Sequence, residues 1–150
     1  MIIKLPDGQV LEHEGGGTLK EVLLEKDKGL LKTYIGARLE GERIDFLTDL
    51  PGDAEIELIP WESEEAAWLY RHSLSHVLAQ AVRRLFPGVK LAIGPAIEDG
   101  FYYDFDVEEP FTEEDLKKIE KEMKRVVKQN HKFERLEVSR EEALPMLQEE

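Results

Sequence analysis

Short alternating apolar runs separated by turn-forming residues open the chain. Ile2 to Leu5, the turn Pro6-Asp7-Gly8 and then Gln9 to His13 have the spacing of a β-hairpin. After Gly15-Gly16-Gly17, Thr18 and Glu21 form a T-x-x-E capping box, in which each side chain satisfies a free amide at a helix start. The helix continues through Val22, Leu23 and Leu24. Strands are expected again at Thr33 to Leu39, at Arg43 to Asp45 after the Glu40-Gly41-Glu42 turn, and at Ala54 to Ile59 after Pro51-Gly52-Asp53. The order strand, strand, helix, strand, strand, strand suits one helix packed on a mixed sheet, an α+β arrangement.

The period changes after Pro60. Pro60-Trp61-Glu62-Ser63 breaks the alternation, and Ser63 followed by Glu64 and Glu65 supplies an oxygen cap and early negative charge for a new helix. A unit boundary is placed there, giving one unit over residues 1–60 and another over 62–150. The helix is predicted from about Glu64 to Phe86, stopping before Pro87-Gly88. Strands are expected over Leu91 to Phe105, folded at Asp99-Gly100. Thr112 then caps a helix with Leu116, Ile119, Met123 and Val126 at helical spacing. Phe133 to Val138 reads as a further strand, and Ser139-x-x-Glu142 caps a last helix that Pro145 is expected to weaken or kink.

Composition narrows the classes. A 41% hydrophobic share with 33 acidic and 20 basic residues suits a folded chain and not a disordered one. No apolar run approaches the roughly 18 to 20 residues of a membrane span, and MIIKLPDG lacks the basic region and apolar core of an export signal. No membrane partner and a cytoplasmic location are therefore expected. The absence of cysteine excludes a disulfide framework and thiolate metal ligation. A net charge of −13 opposes nucleic-acid binding over most of the surface, because phosphate contacts need clustered Lys and Arg. For an RNA partner, other parts of a larger protein would supply most of the grip.

Two segments carry candidate chemistry. In Arg71-His72-Ser73-Leu74-Ser75-His76, residues four apart are neighbours on a helix, so both imidazoles project from one face. At about 100° per residue, Leu74, Val77, Leu78, Ala81 and Leu85 fall on the opposite side, and Ala79 beside the pair is expected to leave room for a ligand. Such a pair can donate two metal ligands or place and activate a water. Two surface histidines packed against a strand would show the same spacing. The second segment runs from Gly94 to Phe105. Alternation puts Phe101, Tyr103 and Phe105 on one face with Tyr102 and Asp104 on the other. Gly94 permits a close backbone approach, and a tyrosine hydroxyl at a pocket edge can orient a small polar ligand. A hairpin whose aromatics are simply core fits equally. No phosphate-binding G-x-x-x-x-G-K-S/T, G-x-G-x-x-G or nucleophile-elbow sequence occurs. Zinc takes three or four ligands, whereas His72 and His76 supply two and His13 and His131 lie outside the motif, so no metal is expected.

Taken in order, MIIKLPDG, HSLSH on a long helix, LAIGPAIEDGFYYDF and FTEEDLKKIEKEMKRVV resemble the N-terminal region of bacterial threonine-tRNA ligases over nearly the whole chain. The resemblance implies that residues 1–60 are a TGS domain, a ubiquitin-like β-grasp module, and that 62–150 open the editing domain, which hydrolyses seryl esters on the wrong tRNA. It implies that His72 and His76 line the editing pocket as its catalytic histidines, with Gly94 and Tyr103 bordering the substrate. The family completes that site with a C-x-x-x-H pair and a lysine further downstream, and no cysteine occurs here. The expectation is thus a fragment without cofactor, inactive alone, whose parent holds ATP, Mg and zinc in a catalytic core, engages tRNA and dimerises, while the fragment stays monomeric. Two other readings fit the same residues: a binding module without chemistry, and the start of a fusion of TGS to a nucleoside-kinase-like domain.

Overall fold

The computed structural model describes residues 2–4, 7–51, 55–132 and 136–148. Strand β1 (Ile2–Lys4) pairs antiparallel with β2 (Val10–Glu12), Ile3 facing Leu11. A short β3 (Gly17–Thr18) leads into α1 (Leu19–Lys26). The capping box forms as expected: the Glu21 amide donates to the Thr18 hydroxyl at 3.3 Å and the Thr18 amide donates to the Glu21 carboxylate at 2.9 Å. A one-turn helix α2 (Leu30–Thr33) precedes β4 (Tyr34–Leu39), and β5 (Glu42–Ile44) returns from it. Their two-residue turn holds Glu40 and Gly41 at φ 51° and 88°, the left-handed pair that matches strand twist. A short β6 (Asp49–Leu50) pairs with β3, and β7 (Glu55–Pro60) closes the sheet.

The sheet order is β2-β1-β7-β4-β5, with β7 running parallel to β1 and every other neighbour antiparallel. Return of the last strand to the centre, beside the first, with one main helix on the sheet, is the ubiquitin-like β-grasp arrangement. Ile3, Leu19, Val22, Leu23, Tyr34, Ala37, Leu50, Ile56 and Leu58 form its buried core. The apolar residues of α1 and of the alternating strands converge there because each element has only one face to bury. The predicted residues Leu5, Pro6, Gly52, Asp53 and Ala54 lie outside the described residues.

After Pro60 the chain turns into α3 (Glu64–Leu85), where the Ala66 amide donates to the Ser63 hydroxyl at 3.1 Å. Strands β8 (Lys90–Leu91), β9 (Ala96–Ile97), β10 (Gly100–Phe101) and β11 (Phe105–Asp106) follow. They form a long bent hairpin with an inner pair, β9 and β10, and an outer pair, β8 and β11. Helix α4 (Glu113–Gln129) packs along α3, burying Ile119 and Val126, while Leu116 stays exposed. Arg84 of α3 donates to Glu122 at 3.1 Å and to Gln129 at 2.7 Å, fixing the two helices near their C-terminal ends. The last helix, α5 (Arg140–Gln148), starts at the Ser139 cap and runs through Pro145 without ending there.

The predicted strand over Phe133 to Val138 does not form in its described part. Leu136 to Val138 do not take up strand structure, and 133–135 lie outside the described residues. Alternation alone cannot make a strand without a partner edge to bond. No helix among the described residues is long and apolar enough to cross a membrane.

Candidate functional site

Helix α3 carries the histidines. His72 and His76 stand one turn apart with their Nε2 atoms 3.3 Å apart and their rings nearly perpendicular, centroids 4.8 Å apart. At that distance the two nitrogens can share one proton, one donating and the other accepting according to the tautomer. Partial desolvation, and then the neighbouring His72 ring, push His76 below the ordinary imidazole range although its side chain lies at the exposed face of the helix. His72 Nδ1 is buried and has no hydrogen-bond partner among the described residues.

Spacing predicted the pair but passed over the ring that orients it. Trp68 lies one further turn back and stacks on His72 with centroids 5.3 Å apart and planes 8° from parallel. Trp68, His72 and His76 are an i, i+4, i+8 ladder, so the same periodicity that joined the two histidines could have found the indole. Arg43 lies over the Trp68 ring at 4.6 Å from its centroid.

The buried face of α3 differs from the expected one. Leu74, Val77, Leu78 and Leu85 are only half-buried, whereas Ser75, Ala79 and Val82 are buried along with Ala81. Ala79 is therefore itself covered by packing. Small side chains at 75 and 79 let neighbouring elements close in on the helix, and the Ser75 hydroxyl is satisfied by donating to the His72 carbonyl at 2.8 Å. Large apolar residues mark where a helix has area to bury, and small ones where another element comes close.

In the hairpin, Phe101, Tyr103 and Phe105 are half-buried and Tyr102 and Asp104 exposed, as alternation requires. Gly94 and Tyr103 are pressed together: a Cβ on Gly94 would stand 2.1 Å from Tyr103 Cδ2. Behind them runs an aromatic series, Tyr103 stacked on Phe105 at 4.9 Å, Phe105 against Phe111 at 5.7 Å, and Phe111 against Phe86 at 5.0 Å. The hairpin is tied to α3 where Arg71 Nη1 donates to the Ile97 carbonyl at 3.3 Å. The four candidate residues thus form two pairs, His72 with His76 and Gly94 with Tyr103, on packed elements. Among the described residues no hydrogen bond or ring contact joins one pair to the other. Among the described residues no group of three or more His, Asp or Glu is arranged to hold a metal ion. A cleft of about 620 Å³ lies elsewhere, between Phe86 to Lys90 and Asp106 to Thr112.

Comparison with known proteins gives relatives along nearly the full chain. The threonine-tRNA ligase of Clostridium botulinum strain Hall is 47% identical over 147 residues, which is 98% of this chain and 23% of that protein. The threonine-tRNA ligase of Desulforamulus reducens is 50% identical over 142 residues, 95% of this chain and 22% of the relative. The chain spans about a quarter of the length of these curated relatives. No protein-family profile matches it.

Proposed function

Because this chain is homologous to one stretch of the threonine-tRNA ligases, we propose that it is the part of such a ligase that begins the editing of wrongly charged tRNA. In this reading residues 1–60 are a TGS module and 62–150 the opening part of the editing domain. The parent joins threonine to its tRNA using ATP, with Mg and zinc held in its catalytic core, and tRNA is engaged mainly through that remainder. The observation that carries the reading is the His72 and His76 pair, with Nε2 atoms 3.3 Å apart and His76 pushed below the ordinary imidazole range by desolvation.

The chemical need is concrete. Serine and threonine differ by one methyl, and a pocket gains only about 1 to 3 kcal/mol from a group of that size, so selection by binding leaves seryl-tRNA behind. Hydrolysis removes it. A water beside the pair gives a proton to the free lone pair of an imidazole as its oxygen attacks the seryl carbonyl carbon. The ester bond then breaks, and the departing tRNA hydroxyl oxygen takes the proton back. His72 and His76 hold the water and the proton. Gly94 and Tyr103 border the ester, the glycine allowing the ring to lie flat against the backbone.

Removing residues 62–150 from the complete ligase tests the assignment. Threonine activation, measured by ATP exchange, is expected to persist while seryl-tRNA accumulates. A truncated enzyme that still clears seryl-tRNA at the intact rate would contradict it.

A further inference from the structure

The histidine pair is tied to the β-grasp sheet by a continuous series of contacts. Arg43 projects from β5. Its Nε bonds the Glu65 carboxylate at 3.1 Å, and its guanidinium covers the Trp68 ring at 4.6 Å. Arg38 of β4 engages the same carboxylate, with its Nε 3.4 Å from Glu65 Oε1, so two cations from the sheet grip one acid in the first turn of α3. The Glu65 side chain is only 18% exposed, which makes it a fixed anchor and not a solvated surface charge. Trp68, by contrast, is 38% exposed and makes no hydrogen bond to another described residue, so its ring orientation depends on what covers it. What covers it is Arg43, and what stacks on it is His72.

We propose that Arg43 is a positioning residue for the histidine pair, transmitting the placement of the β-grasp sheet through Trp68 to the plane of the His72 ring. A cation over an indole face is attracted by the ring quadrupole and restricts its tilt. A stacked imidazole follows that tilt. With Nε2 atoms at 3.3 Å, a modest rotation of His72 breaks the proton-sharing contact with His76. The β-grasp unit would thus shape the hydrolytic pair without touching substrate. The functional consequence rests on the editing reading, but the geometric coupling does not.

The test uses the 150-residue chain with isotope-labelled histidine, observing the His72 ring protons by NMR. Trp68→Leu defines the full loss of the indole ring current. Arg43→Ala is expected to carry the His72 signals about half or more of that distance, while Arg43→Lys, which keeps a cation over the ring, stays near wild type. Amide signals of Ile56 and Leu58 report an intact sheet. His72 signals at wild-type positions in Arg43→Ala, or unmoved by Trp68→Leu, overturn the proposal. In the complete ligase, Arg43→Ala is expected to lower kcat for seryl-tRNA hydrolysis about tenfold with KM unchanged, as misplacement of a catalytic group does. Shifted ring signals with unchanged hydrolysis would leave the positioning intact and sink the editing reading instead.

Discussion

Replacing Gly94 by alanine should destabilise the hairpin through a single collision. The added Cβ would lie 2.1 Å from Tyr103 Cδ2, 2.4 Å from Cε2 and 2.9 Å from Cγ. Carbon atoms in contact prefer roughly 3.5 to 4 Å, so the ring must withdraw by more than an ångström. Behind it stand Phe105, Phe111 and Phe86, which leave little slack. Overpacking of this kind costs about 1 to 3 kcal/mol. Gly94 does not have a left-handed φ, so alanine restricts the unfolded chain at no backbone cost in the folded one and returns about 0.4 to 1 kcal/mol. The net expectation is a loss of about 1 to 2 kcal/mol. Urea denaturation of wild type, Gly94→Ala, Tyr103→Ala and the double variant checks it as a cycle. In the Tyr103→Ala background the Cβ has space, so Gly94→Ala should there stabilise by about 0.4 to 1 kcal/mol, giving a coupling of about 1 to 3 kcal/mol. Equal costs in both backgrounds would refute the contact.

Acid should weaken the α4 cap. Hydrogen bonds from Thr112, chiefly its hydroxyl, and then from Lys118 hold Asp115 at about 2, below its unfolded value, so the stability it contributes is present above about pH 4 and lost as pH falls through 2. Thr112→Ala should cost about 1 kcal/mol in thermal melts and flatten that part of the pH profile. His76, whose pKa is lowered on folding, contributes stability that is complete above about pH 6.5 and declines below it, so His76→Gln should remove a slope in the denaturation profile that begins there. Chelation should leave the circular dichroism spectrum and melting temperature unchanged; unfolding on chelation would make the histidines structural ligands.

Much of this was legible in the residues, for identifiable reasons. Thr18, Ser63, Thr112 and Ser139 each announced a helix, because a cap is a local bond between side chain and nearby amide. The Glu40-Gly41 turn and the alternation of Phe101 to Phe105 were equally local. The two-residue strands β3 and β6 and the single turn α2 were not, since pieces that short carry no periodicity, and β3 and β6 exist only by pairing with each other across about 30 residues. The histidine pair followed from helical spacing, and Trp68 could have. Arg43 and Glu65, 22 positions apart, could not, because only the folded sheet brings the arginine over α3. The packing of Ala79 was misjudged from its size: a small side chain reads as space in sequence and as a close approach in three dimensions.

Single-turnover hydrolysis of seryl-tRNA by the complete ligase, wild type against His72→Ala and His76→Ala, tests the central claim most directly. The account predicts that each substitution lowers the hydrolysis rate by about 10² to 10⁴ while threonylation stays at the wild-type rate. Hydrolysis of seryl-tRNA at the wild-type rate by both variants would contradict it.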